Sequence, residues 1–141
     1  MSDVAFLDTV HILALINPRD DWHERAALAS QEAPERLVTT EAVLTEVADA
    51  LCHPSGRSWA VQAVDDLRRD PNVTCVPVEA KLFERAFELY RQRPDKEWSL
   101  TDCISFVVMQ DLNLRDVLTA DIHFEQAGFR ALLRSEESPG R

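Results

Sequence analysis

The chain is expected to be an α/β protein: a central parallel sheet of four or five strands, covered by helices on both faces in three layers. Three observations lead there. Short apolar runs of strand length alternate with longer stretches of helical periodicity. The 141 residues suit one domain with one core, and no linker or internal repeat divides them. Hydrophobic residues make up 45% and charged residues 28%, a globular balance.

The elements follow in order. Val4–Leu7 is a short buried strand. His11–Ile16 is a helix stopped by Asn17-Pro18. Asp20-Asp21 cap a helix over roughly Trp22–Gln31, and Leu37–Thr39 is the second strand. Thr40 can cap the next helix, Glu41–Leu51, which carries Glu46. A loop at His53–Arg57 precedes a helix over Ser58–Arg69, ended by Asp70-Pro71-Asn72. Val73–Val78 is a strand whose internal proline predicts an edge position or an early end. A helix over Glu79–Arg93 places Leu82, Phe83, Ala86, Leu89 and Tyr90 on one face. The loop Pro94–Trp98 leads to a helix over Leu100–Leu112. Then come a strand at Asp116–Leu118, a short helix at Ile122–Ala127 and a last strand at Ala131–Leu133. Residues 1–134 are expected to form the domain and Ser135–Arg141 a frayed tail.

Composition excludes several functions. Three glycines and no G-x-x-x-x-G-K or G-x-G-x-x-G leave no phosphate loop. Cys52, Cys75 and Cys103 are odd in number and far apart, which argues against a zinc cage or a disulfide framework. They read as reduced thiols of a cytoplasmic protein, and the N-terminus shows no secretory pattern. Cys103 beside Asp102 is better read as a small interior residue than as a nucleophile. A net charge of −10 is not the footprint of a broad basic nucleic-acid surface. It does not exclude a nuclease, because a bound cation adds charge that the formal count ignores.

Four carboxylates stand where a parallel sheet builds a site, at the carboxyl ends of strands. Asp8 ends the first strand, Asp121 follows the fourth, Asp102 lies in the first turn of a helix, and Glu46 shares a helical line with Val43 and Ala50. Those neighbours turn Glu46 inward, where an unpartnered carboxylate is costly. If the four converge, a hard divalent cation with oxygen ligands is the natural counter-ion, and the chemistry is metal-assisted hydrolysis. Each has a plainer reading. Ser99-Leu-Thr-Asp102 matches a capping box, Asp8 and Asp121 suit strand-end turns, and Glu46 could pair with a buried arginine. Asp49, Asp95 and Asp111 read as surface residues.

The stretches Phe6-Leu-Asp-Thr9, Thr39-Thr-Glu-Ala-Val-Leu-Thr-Glu46, Asp95-Lys-Glu-Trp-Ser-Leu-Thr-Asp-Cys103 and Leu118-Thr-Ala-Asp-Ile-His-Phe124 carry a resemblance. In that order they resemble a PIN domain of the VapC-like toxin ribonucleases. The resemblance implies a three-layer fold and a pocket that binds Mg2+ or Mn2+ and cleaves RNA. It implies a cognate antitoxin and a homodimer formed through helices. It also makes Asp8, Glu46, Asp102 and Asp121 the pocket acids, supported by Thr9, Ser99 and Thr119. Magnesium takes one or two carboxylates directly. Asp8 with Asp102 or Asp121 is therefore expected to ligate directly, and the others through water. Val10 and His11 depart from the family pattern. Two other readings stay open: a degenerate PIN scaffold that binds RNA or a protein, and a phosphotransfer domain built on Asp8, which would lack the usual second acid at position 10.

Several neighbours complete the candidate list. His123 beside Asp121 suggests a general base or metal ligand, although a helix-start or packing role is simpler. His11 is expected on the first helix near the pocket rim, with a structural role equally open. Trp98 with Arg91, Arg93 and Lys96 could stack a base and hold phosphates of single-stranded RNA. The faces of the first helices and of Ser58–Arg69 are candidate partner surfaces.

Overall fold

The computed structural model describes residues 3–134; the tail expected at Ser135–Arg141 lies outside them. Five strands form one parallel sheet: β1 (Val4–Leu7), β2 (Arg36–Thr40), β3 (Val73–Val76), β4 (Asp116–Leu118) and β5 (Arg130–Ala131), in the order β3-β2-β1-β4-β5. Seven helices connect them: α1 (Thr9–Ile16), α2 (His23–Glu32), α3 (Glu41–Ala50), α4 (Arg57–Arg69), α5 (Ala80–Gln92), α6 (Leu100–Asp111) and α7 (Ile122–Gln126). This is the three-layer α/β architecture expected.

The strand order places the functional end. The chain leaves β1 for β2 and β3 on one side, then returns to β4 on the other. The order therefore reverses between β1 and β4, and a crevice forms at their carboxyl ends. β1 is buried along Ala5–Leu7, pairing Phe6 with Val38 on one side and Val117 on the other. A strand flanked on both sides and both faces reads as an unbroken apolar run, which is what Val4–Leu7 is.

The core beneath that crevice is aromatic. The Phe106 ring meets Trp98 and Phe124 edge to face, each with centroids 5.0 Å apart. Phe106 lies one helical turn after Asp102, and Phe124 directly follows His123. The rings therefore fix the elements carrying those two side chains. Truncating a core phenylalanine costs about 3–5 kcal/mol.

Four expectations are corrected. α1 begins at Thr9, directly after the strand, rather than at His11, so Asp8 is its N-cap. β5 is Arg130–Ala131 rather than Ala131–Leu133; Leu132 and Leu133 still donate to the carbonyls of Val117 and Thr119. Ala50 is exposed, so the argument that Glu46 turns inward keeps only its Val43 half, and Glu46 is half-buried. On α5, Ala86 is buried and Leu82 and Leu89 half-buried, but Phe83, Phe87 and Tyr90 are exposed. β3 ends at Val76, one residue before the proline, and forms a sheet edge, as a strand proline requires.

Candidate active site

Asp8 leaves β1 at the crevice with its backbone N–H donating to the Leu118 carbonyl, 3.3 Å away. As the N-cap of α1 it makes no side-chain capping bond. Its carboxylate instead accepts from Thr119 Oγ1 at 2.7 Å, across 111 residues of chain. The same hydroxyl accepts from the Asp121 backbone N–H at 3.1 Å. One threonine at the end of β4 thus ties the two strand-end acids together.

Asp121 caps α7, accepting from the His123 N–H at 2.9 Å. Asp102 comes from a third direction, at the start of α6. Ser99 and Asp102 form a full capping box: Ser99 Oγ accepts from the Asp102 N–H, and Asp102 Oδ2 accepts from the Ser99 N–H. Capping does not consume the carboxylate. Asp102 Oδ1 and Asp121 Oδ2 have no hydrogen bond within the described residues.

Burial pushes the Asp8 carboxyl up to about 7, and the charges of Asp102 and Asp121 push the same way against the Thr119 hydrogen bond. Asp102 is also raised, first by desolvation and then by Asp121; the Ser99 N–H and His123 oppose this. The ring nitrogen Nδ1 of His123 lies 3.0 Å from Asp102 Oδ2 and 3.4 Å from Asp121 Oδ1. Asp102, Asp121 and His123 offer ligand atoms that all fall within 4.8 Å of one another.

These residues fit a divalent metal. The donor set is mainly carboxylate oxygen, burial first and like charge second raise the Asp8 and Asp102 carboxyls in a way a cation would oppose, and among the described residues the buried Thr9 Oγ1 beside Asp8 has no partner. Exposure rises outward from Asp8 at 3% to the Asp121 side chain at 23% and that of His123 at 26%.

Not every candidate joins this group. Glu46 makes no hydrogen bond or ion pair with it among the described residues, and it is not among the charges acting on Asp8 or Asp102. For His11 the pocket-rim placement is corrected and the structural alternative holds: it is buried, and burial alone shifts it, with no acid acting on it. It bonds Ser30 Oγ through Nε2 at 2.8 Å and lines a cavity with Leu15, Ala33, Leu37 and Leu67. Trp98 is also corrected. It is 6% exposed, donates to Gln126 and carries the Arg93 guanidinium over its ring, so no open ring face is left for a base. Arg91, Arg93 and Lys96 line a surface groove with Ser99 and Cys103. Arg91 pairs with Glu88, and Arg93 with Asp95. Burial and Asp102 push the Cys103 thiol up to about 11, so a thiolate role fails at neutral pH. His123, which the sequence placed beside Asp121 with a packing role as the simpler reading, lies against both Asp102 and Asp121.

Comparison with known proteins follows the same outline. A family model described as PIN domain matches residues 5–130. The 23S rRNA-specific endonuclease VapC20 of Mycobacterium tuberculosis is 32% identical over 124 residues, or 88% of this chain and 94% of that protein. The crystal structure of M. tuberculosis VapC20, described as a Sarcin-Ricin loop cleaving toxin, superposes with a TM-score of 0.83 at 30% identity, covering 90% of this chain and 96% of the other. A chain of a toxin-antitoxin complex from Klebsiella pneumoniae superposes with a TM-score of 0.58 at 18% identity over 84% and 87%, a likeness of fold alone.

Proposed function

The chain belongs to the PIN domain family, and from that premise we propose a metal-dependent endoribonuclease, the toxin of a toxin–antitoxin pair. The observation that carries this reading is the meeting of Asp8, Asp102 and Asp121 at the β1/β4 crevice, with Asp8 held at a raised pKa of about 7. Such a cluster is unfavourable by itself and becomes favourable around a divalent cation.

Asp8, Asp102 and Asp121 would hold Mg2+ or Mn2+, with Glu46 acting through water. When bound, the ion supplies charge neutralisation at the phosphate and acidifies a water. The protein's own part is orientation. Thr119 fixes the Asp8 carboxylate and the backbone before Asp121, and Ser99 fixes Asp102. The VapC20 relative acts on 23S rRNA, so ribosomal RNA is the first substrate to test. Arg91, Arg93 and Lys96, in the groove reaching Ser99, are the proposed phosphate contacts. A cognate antitoxin and a second copy of the chain are the proposed partners, and exposed Trp59 and Val61 on α4 supply apolar surface for one of them.

The test is cleavage of intact ribosomes with Mg2+ or Mn2+, read by primer extension. Wild type is expected to cut at a defined site. Asp8→Asn and Asp102→Asn are expected to lose about a thousandfold or more while staying folded. Full cleavage by either purified variant would sink the proposal. Arg93→Ala with Lys96→Ala is expected to weaken RNA binding several-fold at low salt; unchanged affinity removes the phosphate role.

A further inference from the structure

We infer that His123 is itself a ligand of the proposed metal and that it biases the site away from Mg2+ toward ions that accept imidazole nitrogen. The inference rests on reading the acidic crevice as a metal centre.

Three features carry it. His123 Nδ1 lies 3.0 Å from Asp102 Oδ2, a hydrogen-bond distance here, and 3.4 Å from Asp121 Oδ1, and both separations also match those between neighbouring ligands of one ion. Bonds of about 2.1 Å put such atoms about 3.0 Å apart at a right angle and about 3.4 Å apart at a tetrahedral one. Next, the backbone holds the ring there. Asp121 Oδ1 accepts the His123 N–H, while Phe124 is fully buried against Phe6 and Phe106. Finally, the ring can be reached by an ion from solvent, with 26% of the side chain exposed. A site of carboxylates alone suits Mg2+; adding imidazole shifts preference along the transition series from Mn2+ to Co2+ and Ni2+.

The competing reading makes His123 a hydrogen-bond donor that merely orients Asp102. The two differ in what His123→Asn does, because an asparagine amide keeps a donor near the Nδ1 position but offers no imidazole nitrogen. The experiment uses the full chain, wild type and the variants His123→Ala and His123→Asn, with folding checked by circular dichroism. Mn2+, Co2+ and Mg2+ are titrated by calorimetry, and the Mn2+ form is examined by electron spin echo envelope modulation. Expected are nitrogen-14 modulation in wild type that both variants lose, a drop of about tenfold in Co2+ and Mn2+ affinity in both, and a change below about threefold for Mg2+. Mn2+ that binds wild type without nitrogen modulation overturns the inference, even where a variant fails to fold. Wild-type Co2+ affinity in His123→Asn also overturns it. If no ion binds the wild type, the metal-centre reading falls too, so the two failures are distinguishable.

Discussion

Asp8 and His11 are three residues apart, both buried and both titratable, yet they sit in opposite surroundings. Asp8 faces Thr119, Asp102 and Asp121 at the β1/β4 crevice. His11 faces a cavity with aliphatic walls and bonds Ser30. Burial disfavours the charged form of each, raising the acid to about 7 and lowering the imidazole to about 4. The histidine becomes a neutral core residue that meets Ser30 through Nε2, while among the described residues its buried Nδ1 has no partner. The aspartate remains among acids, which a proton relieves one at a time and a divalent cation relieves together. Desolvation alone therefore does not mark a site; unanswered charge of one sign does.

The contrast can be broken most severely by activity. Asp8→Asn is expected to abolish RNA cleavage, whereas His11→Gln is expected to keep it within about threefold while lowering the melting temperature. A comparable rate loss in both would mean that α1 as a whole, not its first carboxylate, supports the reaction.

The next effect is on stability against pH, measured by urea unfolding with a chelator present. For Asp8 the folded pKa lies above the unfolded value. Its contribution is complete below about pH 4 and is lost as pH rises through about 7. For His11 the folded pKa lies below the unfolded value. Its contribution is complete above about pH 6.5 and is lost as pH falls through about 4. The two slopes oppose each other, each by up to about 1.4 kcal/mol per pH unit. Asp8→Asn should leave a stability that rises with pH across this window, and His11→Gln one that falls. The same slope in both variants would refute the assignment.

Smaller again are the supporting hydroxyls. Thr119→Val removes the donor to Asp8 and the acceptor for the Asp121 N–H, and should cost about 1–3 kcal/mol. Ser30→Ala removes the His11 partner and should cost about 1 kcal/mol or less. The least effect sharpens the site's outer limit. Glu46→Gln should weaken metal binding by about tenfold if its carboxylate acts through water, and calorimetry showing no change would drop Glu46 from the set.

Much of this fold was legible because local rules agreed with the global one. The run Val4–Leu7 has no solvent face, Thr40 caps α3 through the Val43 N–H, and Ser99 with Asp102 closes a capping box. The misreadings share a cause. Periodicity put Phe83 and Tyr90 on the apolar face of α5, but among the described residues no element covers that side and they are exposed. Trp98 looked like a loop aromatic, yet Phe106 covers it. His11 lies on α1, but Asp8 is the N-cap with extended backbone, so helical spacing does not place the two side chains on one face.

The sequence by itself determined the alternation of strands and helices, the acids at the ends of β1 and β4, and the capped start of α6, because each follows from contacts within a few residues. Only the tertiary structure decided that Thr119 would bridge Asp8 and Asp121, and that His123 would turn its Nδ1 toward an aspartate 21 residues earlier. Those contacts depend on strand order and on how three aromatic rings pack. Neither is encoded in any short stretch of chain, because both arise only when distant segments exclude water together.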